Sequence, residues 1–154
     1  MLDNDRTDLD EESLDDQDCK RLERALLARG RRQQRAQLRA RGMLSPKEAA
    51  RFSGIPKRTL RRMRFAGHVL ALSIRGGRSG VRYPGWQFEP GVLRVLPDIL
   101  AAFGKHRAWQ AHDFLTYPEP LLAGRMPLDE IRAGHGADVL RILSAATDWG
   151  QGAY

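Results

Sequence analysis

The stretch from Ser45 to Gly67, SPKEAARFSGIPKRTLRRMRFAG, is punctuated wherever a helix could start or stop. Ser45 offers an N-cap hydroxyl, Pro46 suits the first helical position, and Glu48 completes a capping box. Gly54 can take the positive φ that a sharp turn requires. Pro56 can open a second helix and Gly67 can close it. Two short helices are therefore expected, the first ending near Ser53, with only a tight turn between them. Ala50 is small where two crossing helices would meet, Ile55 follows the turn as a core residue, and Leu60 and Met63 recur on one face of the second helix. This is the pattern of a helix-turn-helix, whose second helix is propped to enter a DNA major groove.

The side chains off that apolar face are Lys57, Arg58, Thr59, Arg61, Arg62 and Arg64. Arginine pairs bidentately with guanine, and Lys, Arg and Thr also reach phosphate. The alternative is a solvated pair of charged helices. That alternative needs neither the apolar frame nor the excess of bases over Glu48, the one acid between residues 45 and 63.

Charge along the chain points the same way. The 154 residues carry a net +7, but residues 1–19 hold nine acids and one base, Arg6, which leaves +15 on the remainder. A body so basic favours a polyanionic partner, most often nucleic acid. The acidic stretch 1–19 reads as a disordered tail, since it is polar and without aromatics. Residues 20–42 read as a basic arm of one or two helices, interrupted at Gly30 and ended at Gly42.

After the second helix comes HVLALSIRGGRSGVRYPGWQF. Val69, Leu70, Leu72 and Ile74 suggest a strand, GGRSG a glycine-rich turn, and VRY a returning strand. The expected hairpin stands where a wing would, with Arg75, Arg78 and Arg82 able to contact phosphate or a minor groove. A plain hairpin with solvated arginines is the alternative. The aromatics of YPGWQFEPG suit a packing hub pinning the hairpin, or else a platform for stacking single-stranded bases.

From residue 92 the pattern is helical. Helices are expected at about Pro97–Phe103, His106–Leu115 with Trp109 and Phe114 as core, after Pro127, and at about Ala137–Thr147 with a stripe of Val139, Leu140, Ile142 and Leu143. This region resembles the toxin-binding domain shared by the MbcA, ParS and Xre-type antitoxins. The matching residues are Trp109, Phe114, Leu115, Pro118, Leu122, Gly124, Pro127, Leu128, Ile131, Gly134, Val139 and Leu143. The helix-turn-helix before it looks more like a MerR-type or winged module. The resemblance implies a regulator that represses its own operon and binds a toxin. It places the partner contacts at Gly124, Arg125, Pro127, Leu128, Asp129, Trp149 and Tyr154, the last two in a tail reaching towards the partner.

No apolar run approaches the ~20 residues that span a bilayer, and the acidic N-terminus is unlike a signal peptide. A cytoplasmic, nucleoid-associated protein without membrane contact is expected. One cysteine, Cys19, allows neither an internal disulfide nor a cysteine-based metal cluster. His68, His106, His112 and His135 form no zinc-protease pair and read as surface or capping residues. No catalysis, cofactor or metal is expected.

The expected architecture is mainly α: a tail (1–19), a basic arm (20–42), a helix-turn-helix with a short β-hairpin wing (43–91), and a small helical domain (92–154). The expected partners are double-stranded DNA, a protein such as a toxin, and further copies in a homodimer or larger oligomer. Two other functions stay open. One is an adaptor in which DNA binding only anchors the C-terminal module; the other is an RNA or single-strand binder.

Overall fold

The computed structural model describes residues 7–74 and 80–151. It is mainly helical, with seven α-helices and one two-stranded antiparallel sheet among the described residues. Two compact units divide the chain, Met1–Arg39 and Ala40–Tyr154. No helix among the described residues is long and apolar enough to cross a membrane.

The first unit is one helix, α1 (Thr7–Leu38). This corrects two expectations, since residues 7–19 are helical rather than disordered and Gly30 does not interrupt the helix. Acids at the start and bases towards the end suit the helix dipole. At the junction Asp16 pairs with Lys20 at 2.6 Å and Asp18 lies 3.8 Å from Arg21, with the acid on the favourable N-terminal side. A glycine inside a helix costs about 1 kcal/mol, which a 32-residue helix can absorb. Leu22, Leu26 and Leu27 are exposed, whereas Leu38 is buried.

The second unit opens with β1 (Met43–Leu44), α2 (Pro46–Ser53), α3 (Lys57–Phe65) and β2 (Tyr83–Pro84). Met43 lies opposite Pro84 and Leu44 opposite Tyr83. A 3₁₀ turn (Gly85–Phe88) leads into α4 (Pro90–Phe103), then α5 (Ala108–Thr116), a 3₁₀ turn (Pro120–Leu122), α6 (Pro127–Arg132) and α7 (Gly136–Gln151).

Helix α4 begins seven residues before the expected start at Pro97, and that proline lies inside it. Proline removes one backbone donor from the ladder. Burial of Val92, Leu96 and Ile99 along one face carries the helix past it. The expected boundary between residues 91 and 92 falls within α4, so 43–91 and 92–154 share one compact unit. Helix α4 touches α5, α6, α7 and the first 3₁₀ turn. Ala111, Leu115, Leu128, Ile131, Val139 and Leu143 are buried on the surrounding helices.

Candidate nucleic-acid interface

Helix α2 starts as its sequence dictates. The Glu48 N–H donates to Ser45 Oγ at 3.2 Å, and Pro46 takes the first turn. At the other end Gly54 has φ 75°, a left-handed conformation that costs glycine no Cβ clash. Ser53 ties the turn together: its hydroxyl donates to the Ala49 carbonyl at 2.7 Å and accepts from the Ile55 N–H at 3.1 Å. Helix α3 ends with the His68 N–H on the Met63 carbonyl at 2.9 Å and the Gly67 N–H on the Arg64 carbonyl at 3.1 Å, the paired bonds of a Schellman cap.

Beneath these helices Ala49 and Leu60 are fully buried with Val69, Ala71 and Tyr83. Ile55 and Met63 are partly buried against that cluster. The innermost small residue is Ala49 rather than Ala50, which packs at the edge of the cluster. Successive helical residues differ by a 100° rotation, and spacing in a two-turn helix does not choose between neighbours.

On the outer side of α3, Lys57, Arg58, Arg61 and Arg62 are exposed, and Thr59 and Arg64 are half-buried. No ion pair among the described residues involves any of these cations. The Arg61 and Arg64 guanidinium carbons lie 5.8 and 5.5 Å from the centre of the Phe65 ring, within cation–π range. Phe65 is itself exposed. Both arginines also act on Tyr83: burial raises its phenol pKa above the ordinary value, and the fields of Arg64 and Arg61 pull it back down.

The segment after α3 is less regular than a hairpin of two strands. Among its described residues only Leu72 pairs with Arg82, through two backbone bonds of 2.8 and 2.9 Å. Residues 69–72 and 74 are all buried, and buried backbone groups need partners. Side chains supply several of them. Gln87, fully buried, accepts from the Leu70 N–H at 2.7 Å and donates to the Leu70 carbonyl at 2.8 Å. The Trp109 indole N–H donates to the Ser73 carbonyl at 3.0 Å. Arg82 is half-buried, and its guanidinium donates to the adjacent Val81 carbonyl. Arg75 and Arg78 lie outside the described residues.

The aromatics of YPGWQF are buried or half-buried. Tyr83 is buried, Phe88 sits 6.3 Å from Phe52, and Trp86 sits 6.3 Å from the His112 ring. Trp109 meets His112 edge-on at 5.9 Å. His112 is therefore buried rather than at the surface, with Nδ1 3.2 Å from Asp113. Sequence reasoning missed both His112 and Gln87. The available signal was a polar residue set among aromatics in YPGWQF and AWQAHDF.

Near α6 the expected partner residues have structural partners of their own. Pro127 and Leu128 are buried. Gly124 and Gly134 have φ 78° and 89°. Leu115, Leu122, Ile131, Val139 and Leu143 are core residues. Packing and backbone conformation thus account for most of the antitoxin-like pattern. Arg125 is exposed but lies 2.9 Å from the buried Glu130 carboxylate, which also meets His135 at 3.1 Å. Asp129 is exposed and 3.3 Å from Arg132. Arg132 in turn makes two bonds to Glu89, of 2.9 and 3.0 Å, and these hydrogen bonds raise its already high pKa. The side chain of Trp149 and all of Tyr154 lie outside the described residues.

Comparison with protein-family models, with curated proteins and with solved structures finds no match.

Proposed function

We propose that this chain is a DNA-binding regulator that grips duplex DNA with α3. In this reading α2, the Gly54 turn and α3 act as a helix-turn-helix, and the segment through Leu72 and Arg82 acts as a short wing. The observation that carries it is the outer face of α3: Lys57, Arg58, Arg61 and Arg62 are exposed and no carboxylate among the described residues neutralises them. Unpaired guanidinium groups on a capped, core-anchored helix are free to meet phosphates and guanine edges.

A protein partner belongs to the same proposal. Tyr117 and Leu121 are large and exposed, as are Gly124 and Arg125 a few residues on in the chain, which suits the toxin-binding role that the antitoxin resemblance implies.

The test measures fluorescence anisotropy of labelled duplex against Arg58→Ala/Arg61→Ala/Arg62→Ala. A base contact is worth about 1–3 kcal/mol each, so duplex affinity should fall at least about tenfold while the melting temperature holds. A folded triple variant that binds duplex as before would remove the reading. Native chain that prefers single strands to duplex would replace it with the single-strand alternative.

A further inference from the structure

Helix α1 is complementary to itself turned end for end. Its spacing puts Cys19, Leu22, Leu26, Arg29 and Gln33 on one side, and all five are exposed, Leu22 by 61% and Leu26 by 58%. The charges divide close to the same place. Residues 7–18 hold seven acids and no base, and residues 19–38 hold seven bases and one acid, Glu23. Among the described residues, these halves pair at the junction, through Asp16–Lys20 and Asp18–Arg21. A helix of this length spans about 48 Å, so the outer acids cannot reach the outer bases of their own helix. Helices in proteins draw most of their stability from packing an apolar face, and Leu22 and Leu26 stand exposed among the described residues.

We infer that α1 docks on α1 of a second copy of this chain, antiparallel. Leu22 of each copy packs on the partner's Leu26, and Cys19 lies beside the partner's Arg29. The acidic half of each helix then runs along the basic half of the other, whereas a parallel pair would set acid against acid and base against base. Opposed charge fixes the orientation and the leucines fix the register, as in coiled-coil seams. This inference stands apart from DNA binding by α3.

Sedimentation equilibrium of the full chain tests it. At about 50 mM salt the mass should be twice 17.4 kDa, and raising salt to about 500 mM should weaken the dimer at least about tenfold, because exposed charges are screened. A single-chain mass at about 100 μM protein and low salt overturns the inference, as does a dimer indifferent to salt. Leu22→Glu/Leu26→Glu keeps helix propensity close to that of leucine and should weaken the dimer at least about tenfold; an unchanged dimer overturns the interface. Orientation is read by disulfide trapping. Arg29→Cys should give a covalent dimer through native Cys19 under mild oxidation. The native chain should give none, because the two Cys19 residues lie about 15 Å apart along an antiparallel pair, beyond disulfide reach. A covalent dimer of the native chain would mean parallel helices and overturn the assignment.

Discussion

On α3, Arg58, Arg61 and Arg62 are exposed with no carboxylate partner among the described residues. Around α6 and α7, Arg125, Arg132 and Arg141 each meet one: Glu130 at 2.9 Å, Glu89 at 2.9 Å and Asp138 at 3.0 Å. The local sequences account for part of the contrast, the pairs of Asp138 with Arg141 and of Asp129 with Arg132, while Glu89 reaches Arg132 from a distant part of the chain. KRTLRRMR contains no acid, whereas PLDEIR and ADVLR place acids three residues before a base, close enough for helical pairs. A paired arginine ties chain to chain and cancels its own field; an unpaired one leaves its field in solvent, available to an external anion. Equal numbers of arginines are therefore tied into ion pairs in one region and left exposed without them in another, and the distribution of acids contributes to the difference.

Three measurements sharpen or break that contrast. The largest effect should come from Leu60→Ala, which empties the fully buried site beneath α3. Large-to-small core changes of this kind cost about 2–5 kcal/mol, read by chemical denaturation. A loss well below that would mean that the basic face is not anchored through Leu60.

The second effect lies on the alkaline side. The folded state raises the Tyr83 pKa above its ordinary value of 10.0, chiefly by burial. A raised folded pKa gives stability that is present in full below the unfolded pKa and is lost as pH rises through the folded value. Stability should therefore fall as pH climbs past about 10, and Tyr83→Phe should flatten that decline. An identical alkaline profile in the variant would show that Arg61 and Arg64 offset the burial completely.

The smallest effect is Arg132→Ala. Its pairs with Glu89 and Asp129 are partly exposed and screened, and such pairs contribute at most about 1 kcal/mol. The melting temperature should drop slightly and duplex affinity should not move. The reverse pattern, intact stability with lost binding, would erase the division between the two groups of arginines.

Much of the α2–α3 frame was legible in residue order. Ser45, Pro46, Gly54 and Gly67 act within a few residues of themselves through caps, fixed φ and left-handed turns, and all four stand at the helix ends where local chemistry puts them. The exposure of the α3 cations followed from Leu60 and Met63 occupying the opposite face. The basic stretch of α1 is legible as helix, whereas the net composition of residues 7–19 suggests disorder and the order of charges along α1, acid first and base after, favours a helix.

Other features depend on residues far apart in the chain. The pairing of Met43–Leu44 with Tyr83–Pro84 joins two strands of two residues each, too short for any alternation to register. Gln87 closes on Leu70 across seventeen residues, and Trp109 on Ser73 across thirty-six. Glu89 finds Arg132 forty-three residues on. His112 meets Trp109 of its own helix and also Trp86, a ring from the first 3₁₀ turn that its own neighbours do not specify. The sequence by itself therefore determined the helix ends and the absence of a neighbouring acid along α3, because caps and nearest-neighbour acids act over one or two turns. Which polar side chains would be buried, and which backbone groups they would satisfy, only the tertiary structure decided, because a buried donor or acceptor takes whatever partner the packed chain brings within hydrogen-bond reach.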